Sequence, residues 1–356
     1  VVGHTTATEC TILWAAKGPS TSWIEFGETP ALGTRVDNDA DGLRPYDALM
    51  HRVTLSGLKP GTKYFYRAHT RAIDFKNGYS ITPGETLVSE VGSFTTFNPR
   101  AEETSFLVWN DTHDYQQTLT GLHALSSQLP HDFLFFNGDV SNYVDNEADM
   151  VGLYVSPHGL PYAQNTPMLF TRGNHDVRGR AARTLNRYVS VPDNRYFYSF
   201  RQGPVAALVM DTGEDKPDDH PVYGGLNNFA AYRSAQRVWL EKEIQKPEFR
   251  KAPFRILFCH IPLWWKEDEP LSTCADAREK WHDLLVKAKI HAVISGHTHR
   301  TMTFAPTKAH PYYQIVGGGP TLENATVIHA QATSQQLTFT IKGLDGRTLN
   351  EVKLKA

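Results

Sequence analysis

Hydrophobic and polar positions divide this chain into two stretches with different rhythms. Up to about residue 98 no helical period appears, and alternating segments at 11–14, 22–26, 51–55 and 63–67 predict strands. Between the last two, residues 56–62 hold Pro60 flanked by Gly57 and Gly61, a turn in which Pro fixes φ and Gly admits positive values. The polar run Asn98-Pro99-Arg100-Ala101-Glu102-Glu103 interrupts both patterns and predicts the junction. Beyond it, short apolar runs alternate with amphipathic stretches. Tyr232, Ala235, Val238, Trp239 and Ile244 predict one face of a helix near 230–246, and Trp281, Leu284, Leu285 and Ala288 another near 276–289. From residue 312 the pattern returns to strands, at 313–316, 325–329, 337–341 and 349–354, with Asp345-Gly346 as a hairpin turn before the last. The expected architecture is an all-β sandwich over 1–98, then an α/β domain over 104–356 built as a two-sheet sandwich flanked by helices.

Five apolar runs in the second stretch end in polar clusters. Residues 105–109 run into Asn110-Asp111-Thr112-His113, and 131–137 into Gly138-Asp139-Val140-Ser141-Asn142. Residues 168–170 lead to Arg172-Gly173-Asn174-His175-Asp176, 255–259 to His260, and 291–294 to Gly296-His297-Thr298-His299. Ligands bind beyond the carboxyl ends of strands in layered α/β domains, so these clusters are expected to converge. Carboxylate, amide and imidazole donors together suit a pair of divalent metal ions. Asp139 has two oxygens with which to bridge such ions, and Asn174 offers a neutral carbonyl. Gly138, Gly173 and Gly296 precede ligands where the chain is expected to turn sharply. One buried histidine with a satisfied hydrogen bond is commoner than a ligand, but five clusters in register leave that reading little room.

In this order, D-x-H, G-D-x-x-N, G-N-H-D, a strand-terminal His and G-H-x-H resemble the calcineurin-like metallophosphoesterases over roughly 104–356. The stretch V-T-L-x-G-L-K-P-G-T-x-Y-x-Y-R resembles the fibronectin type III fold, and more narrowly the N-terminal domain of purple acid phosphatases, with Trp14 as its core tryptophan. The resemblance implies two metal ions (Mn, Fe or Zn). One would take Asp111, His113, Asp139 and His299, the other Asp139, Asn174, His260 and His297. It also implies in-line attack on phosphorus by a metal-bridging hydroxide. His175 becomes the residue that protonates the leaving oxygen or steadies the transition state. Asp176 is expected either to orient that imidazole through a hydrogen bond or to cap a helix. The chain departs from purple acid phosphatases in two places. They carry D-x-G in the first motif and a tyrosine iron ligand three residues past the G-D aspartate, whereas here His113 and Asn142 stand there. Tyr143, one place further, is expected to point elsewhere, so no charge-transfer colour is expected.

Composition bounds the rest. The 356 residues carry a net charge of −2, which recruits neither nucleic-acid polymers nor acidic membranes. No apolar run approaches the roughly 18 residues of a membrane span, and the three cysteines form no disulfide framework. Candidate substrate contacts are Arg172 (toward phosphate, or paired with a carboxylate), His220 and Tyr223 in the polar segment 212–228, and His158. Trp264 and Trp265, ahead of the acidic Glu267-Asp268-Glu269, either stack on substrate or pack their loop down. The expected function is a phosphoric ester hydrolase, mainly a phosphomonoesterase acting on small phosphorylated molecules. The alternatives are a phosphodiesterase on nucleotides or lipid head groups and a non-catalytic binding protein. A start at Val1 and the fibronectin-like domain lead to the expectation of a secreted or periplasmic protein.

Overall fold

The computed structural model describes residues 1–46, 49–266, 269–270 and 274–356, with backbone alone at 265, 266, 269 and 270. The first strands are β1 (Val2–Thr5), β2 (Cys10–Ala15), β3 (Ser20–Gly27), β4 (Thr34–Asp37), β5 (Met50–Leu55), β6 (Lys63–Asn77), β7 (Ser80–Val88) and β8 (Gly92–Thr95). They form two antiparallel sheets, β1-β2-β5 and β4-β3-β6-β7 with β8 also on β6. Cys10, Ile12, Val53 and Leu55 from one sheet meet Ile24, Phe26, Tyr64, Tyr66 and Phe94 between them. Trp14 does not take the central place expected of it. It shares a face with Cys10 and Ile12 but lies at the open end of β2, half-buried, where its indole N–H reaches Thr70 Oγ1 at 2.8 Å. An indole N–H needs a partner, and the edge of the core supplies one.

The smaller sheet is covered on its other face as well. Leu13, Met50 and Phe97 belong to the core of the larger domain, which is why residues 10–13 are buried without alternation. Val2 N–H donates to Ala163 O (2.7 Å), Tyr66 O–H to Gln164 O (2.8 Å) and Arg52 Nη2 to Asn186 O and Val189 O. The two parts are therefore joined by packing and by backbone carbonyls that would otherwise lack donors.

The larger domain contains β9 (Glu103–Trp109), β10 (Phe133–Asn137), β11 (Met168–Thr171), β12 (Tyr198–Gln202), β13 (Val205–Val209) and β14 (Phe254–Phe258). A short ribbon of β15 (Trp264–Lys266) and β16 (Glu269–Pro270) follows, then β17 (Ala292–Ser295), β18 (Met302–Phe304) and β19 (Tyr313–Val316). The last strands are β20 (Thr326–Thr333), β21 (Gln336–Gly343) and β22 (Thr348–Lys355), with Gly346 at φ 80° in the expected final turn. Two six-stranded sheets result, ordered β11-β10-β9-β20-β21-β22 and β12-β13-β14-β17-β19-β18. Strands β9, β10 and β11 run parallel, as do β13, β14, β17 and β19. Between the sheets lie stacked aromatic rings, including Phe135 on Phe258 at 3.8 Å and Phe106 on Phe133 at 4.9 Å.

Helices α1 (Gln116–Ser126), α2 (Glu147–Met150), α3 (Phe229–Glu243), α4 (Pro247–Arg250) and α5 (Ala275–Lys287) flank the sheets. Helix α5 buries Trp281, Leu284 and Leu285 as its pattern predicts. Helix α3 is rotated from its expected face: Ala235 and Val238 are exposed, whereas Arg233, Gln236, Leu240 and Glu243 are buried. Two polar members of that face bind backbone, while Glu243 accepts from Ser199 Oγ at 2.6 Å. Gln236 closes a pair of bonds on Asp211 (2.9 and 2.8 Å), and Arg233 donates to Thr212 O and Glu214 O (2.8 and 2.7 Å). A buried polar side chain is stable when all its groups are paired, and here the pairing fixes the segment that follows β13.

Candidate metal centre

The carboxyl ends of β9, β10, β11, β14 and β17 open on one crevice. Asp111, Asp139, His260 and His297 each stand two residues past a strand end, and Asn174 stands three past. Five of the polar residues there adopt left-handed backbone: Asp111 (φ 52°), His113 (46°), Asp139 (51°), His297 (69°) and His299 (55°). Non-glycine residues in this region cost of order 1–3 kcal/mol each and persist where the surroundings over-determine them. Two of the three glycines serve close approach rather than a positive φ. A Cβ on Gly173 would lie 2.1 Å from Asp139 Oδ1, and one on Gly296 would lie 2.2 Å from Asp111 Oδ2. Gly138 has φ +84° and would also collide with His260 Nδ1 at 2.6 Å.

The donor atoms gather in two adjoining groups, Asp111 with His113 and His299, and Asp139 with His260 and His297, and a third group, His113 with Asp139 and His175, overlaps both. His113 Nε2 is 3.0 Å from His299 Nε2 and 3.9 Å from Asp111 Oδ1, and Asp111 Oδ1 is 3.5 Å from His299 Nε2. Asp139 Oδ2 is 3.1 Å from His260 Nε2 and 3.6 Å from His113 Nε2, so it faces both groups. Asn174 Oδ1 lies 2.8 Å from His297 Nδ1. Donors about 2.0–2.2 Å from an ion stand roughly 3–3.6 Å apart, and these separations cluster around that spacing.

Ring orientation points the same way. His260 Nδ1–H donates to Asn137 O at 2.8 Å, leaving Nε2 buried without a hydrogen bond. His113 Nδ1–H donates to Asn142 Oδ1 at 3.0 Å, again leaving Nε2 to the carboxylates. Metal-ligating histidines are commonly fixed by such a bond from the other nitrogen. Burial opposes charge on His260, yet Asp139 and Asp111 outweigh it and push its pKa up to about 10. Burial opposes charge on Asp139 too, but His260 and the neighbouring imidazoles hold it well below the usual carboxylate range. Burial pushes His297 down to about 4. Sunken carboxylates that demand positive charge, with imidazole lone pairs aimed among them, fit two divalent ions.

Residues 104–301, more than half of the chain, match the family model described as Calcineurin-like phosphoesterase. The chain belongs to the calcineurin-like phosphoesterase family. Residues 1–96 match the model described as Purple acid Phosphatase, N-terminal domain. Human acid phosphatase type 7 is 26% identical over 71% of this chain, and purple acid phosphatase 22 of Arabidopsis thaliana is 24% identical over 78%. The chain spans 56% and 60% of the length of these two relatives. A purple acid phosphatase from yellow lupin (Lupinus luteus) seeds shares the fold with a TM-score of 0.73 at 15% identity, over 99% of this chain and 72% of that one.

Within this crevice the remaining expected residues divide. His175 faces the centre, its ring edge-on to His113 at 4.7 Å, and its Nδ1–H donates to Asn142 O at 2.8 Å. Asp176 does not orient that ring and caps no helix. Its carboxylate is fully buried and accepts from the backbone N–H of Asp139 (2.8 Å), Val140 (3.0 Å) and Gly173 (2.8 Å) and from Tyr154 O–H (2.7 Å). Burial and the Asp139 charge push its pKa up to about 6. It pins the loops that carry Asp139 and Asn174, a supporting place instead of a catalytic one.

Arg172 turns away from the crevice, pairs with Asp211 (Nε–Oδ2 2.7 Å) and lies 3.9 Å over the Tyr196 ring. Trp264 is buried with its N–H on Tyr312 Oη (3.0 Å) and its ring against His310, so it packs its loop down. His220 is exposed and accepts from Val222 N within its own turn. His158 pairs with Asp114 at 2.9 Å. Tyr223 alone of the outer candidates lines a hollow beside the centre. The Trp265 side chain and Glu267-Asp268 lie outside the described residues.

Two residues at the site had no role assigned to them from sequence. Asn142 fixes both His113 and His175, and Tyr143 beside it is 62% exposed. Arg178 places Nη1 3.0 Å from His175 Nε2 while its other nitrogens hold Glu214 and Asp215. Its only signal was position: two residues past the G-N-H-D motif.

Proposed function

We propose that this chain hydrolyses phosphoric esters at a centre of two divalent transition-metal ions (Mn, Fe or Zn), with monoesters of small molecules as its main substrates. The observation that carries the reading is the convergence of Asp111, His113, Asp139, Asn174, His260, His297 and His299 at donor spacings that fit two ions. Asp111, His113, Asp139 and His299 would hold one ion, and Asp139, Asn174, His260 and His297 would hold the other. When bound, such ions lower the pKa of a water to about 7 and offset charge on phosphoryl oxygens.

The chain's own residues do the rest. Asp176 and Tyr154 fix the loop that aims the Asp139 carboxylate. Asn142 O takes the Nδ1 hydrogen of His175, which leaves Nε2 as the nitrogen facing the crevice. To act as an acid the ring carries a second proton on Nε2, and its contact with Arg178 gives way to one with the leaving oxygen. A positioned acid of this kind contributes roughly 10²–10⁴-fold. The N-terminal sandwich, read as fibronectin III-like, supports the larger domain through the β1-β2-β5 face. The same pairing of domains supports a secreted or periplasmic location.

Elemental analysis of purified protein should find close to two transition-metal ions per chain. Paired assays with p-nitrophenyl phosphate and bis-p-nitrophenyl phosphate should show chelator-sensitive turnover favouring the monoester. Protein holding only Ca or Mg, or turning over neither ester, would end this reading. A preference for the diester would end its monoester part.

A further inference from the structure

The segment 177–183 and the loop 214–227 face each other across a hollow of about 760 Å³, within the range of small-molecule sites. Arg178 connects it to the chemistry, since this guanidinium lines the hollow and also reaches His175 Nε2. Whatever leaves on the His175 side of the phosphoryl group therefore enters this space. Gly179 makes the bend that lets both neighbours face it. Its φ is +96°, and a Cβ there would sit 2.2 Å from Val144 O.

The walls have a distinctive chemistry. Arg178 is offset by Glu214 (2.8 Å) and Lys216 by Asp215 (2.8 Å). Arg180 and Arg183 also line the hollow, are exposed, and among the described residues have no side-chain ion pair. Opposite them the loop presents apolar surface, with Val222 68% and Leu226 72% exposed beside Tyr223. Exposed aliphatic side chains that line a cavity facing uncompensated arginines form a site for an amphiphilic anion.

We propose that this hollow receives the alcohol part of the ester and selects alcohols with an apolar body and a second anionic group. The body lies on Val222, Tyr223 and Leu226, and the anion meets Arg180 and Arg183. This proposal rests on the phosphoesterase reading above.

Two probes of similar size separate charge from shape: 4-carboxyphenyl phosphate and its neutral counterpart, 4-carbamoylphenyl phosphate. Metal-loaded protein should show kcat/KM about tenfold higher for the carboxylate, mainly through KM, as expected for binding used equally in ground and transition states. The preference should shrink with added salt, since exposed charges are screened. In the double variant Arg180→Gln/Arg183→Gln the ratio should fall to near one, with the fold checked by circular dichroism. Equal kcat/KM in the parent, or a preference that survives in the double variant, would overturn the proposal. Calorimetric titration of parent and variant with the two matching methylene phosphonates reads the pocket without turnover. Tighter binding of the carboxylate with no hydrolysis of either ester would retire the phosphoesterase reading and keep the pocket. Equal binding alongside normal hydrolysis would do the reverse.

Discussion

Two regions of this molecule bury a histidine nitrogen without a hydrogen bond, and they have opposite electrostatics. At the junction of the domains, His4 on β1 packs edge-on against Tyr198 at 5.4 Å, and burial pushes its pKa down to about 4. In the crevice, His260 Nε2 also lacks a hydrogen bond of good geometry, but it stands 3.1 Å from Asp139 Oδ2, and the Asp139 and Asp111 carboxylates overcome burial and push its pKa up to about 10. An unpartnered buried imidazole is therefore no mark of a site. Carboxylates sunk beside it, on strained backbone, make the difference, because buried charge must be compensated by counter-charge.

The sharpest way to break this contrast is to remove the carboxylate that faces both donor groups. Asp139→Ala should strip metal and lower turnover by more than about 10⁴-fold for every ester, because its carboxylate faces both donor sets. His175→Ala should leave metal content at the parent level, since no ligand is lost. Its turnover should fall by roughly 10²–10⁴-fold on alkyl phosphates and by less on p-nitrophenyl phosphate, whose leaving oxygen needs little protonation. Elemental analysis beside kinetics on both esters checks the pair. Metal loss in His175→Ala, or equal losses on the two esters, would remove His175 from its assigned role.

The junction makes the next prediction. The folded pKa of His4 is depressed from 6.5 to about 4, so its contribution to stability is present above pH 6.5 and is lost as pH falls toward 4. Linkage puts that loss at about 3 kcal/mol. His4→Phe keeps an aromatic edge against Tyr198 and has no proton to take up. Urea midpoints of the two proteins should agree near pH 7.5 and separate below pH 6, with the variant the more stable by up to that amount. Parallel curves from pH 7.5 to 4 would show that His4 is not buried neutral.

The convergence of the polar clusters was legible because each lies within a few residues of an apolar run, so strand and cluster are written in one short window. Strands β2, β3, β5 and β6 of the sandwich and the last three strands were legible from their alternation, whereas β1, β4, β7 and β8 were not anticipated. What sequence misread was polar residues whose partners are remote. Helix α3 buries Arg233 and Gln236 because the carbonyls of 211–214 need donors, and a hydrophobic stripe through Tyr232 and Val238 carries no trace of that need. For Arg172 and Trp264 the sequence left substrate contact open beside carboxylate pairing and loop packing, and Asp211 and Tyr312 hold them in the latter roles. Asp176 followed the same rule: five donors on three segments claim its carboxylate before the adjacent ring can.

The smallest expected effect tests whether the crevice keeps its nitrogen-rich character. Asn142 stands three residues past Asp139, where purple acid phosphatases carry a tyrosine, and its side chain is occupied by His113. Tyr143 is the nearest phenol in sequence, but it is 62% exposed on the outer side of that turn. Tyr143→Phe should change turnover by less than about twofold and stability by no more than about 0.5 kcal/mol, the usual range for a surface substitution. Iron-loaded parent protein should already lack an intense visible band, because no phenolate reaches the centre, and the variant should give the same spectrum. A strong band in the parent that disappears in Tyr143→Phe would mean that the loop turns inward and that Tyr143 is a ligand. In that case a phenolate oxygen would join Asp111 and Asp139 at the first ion, and its character would shift from the divalent toward the ferric.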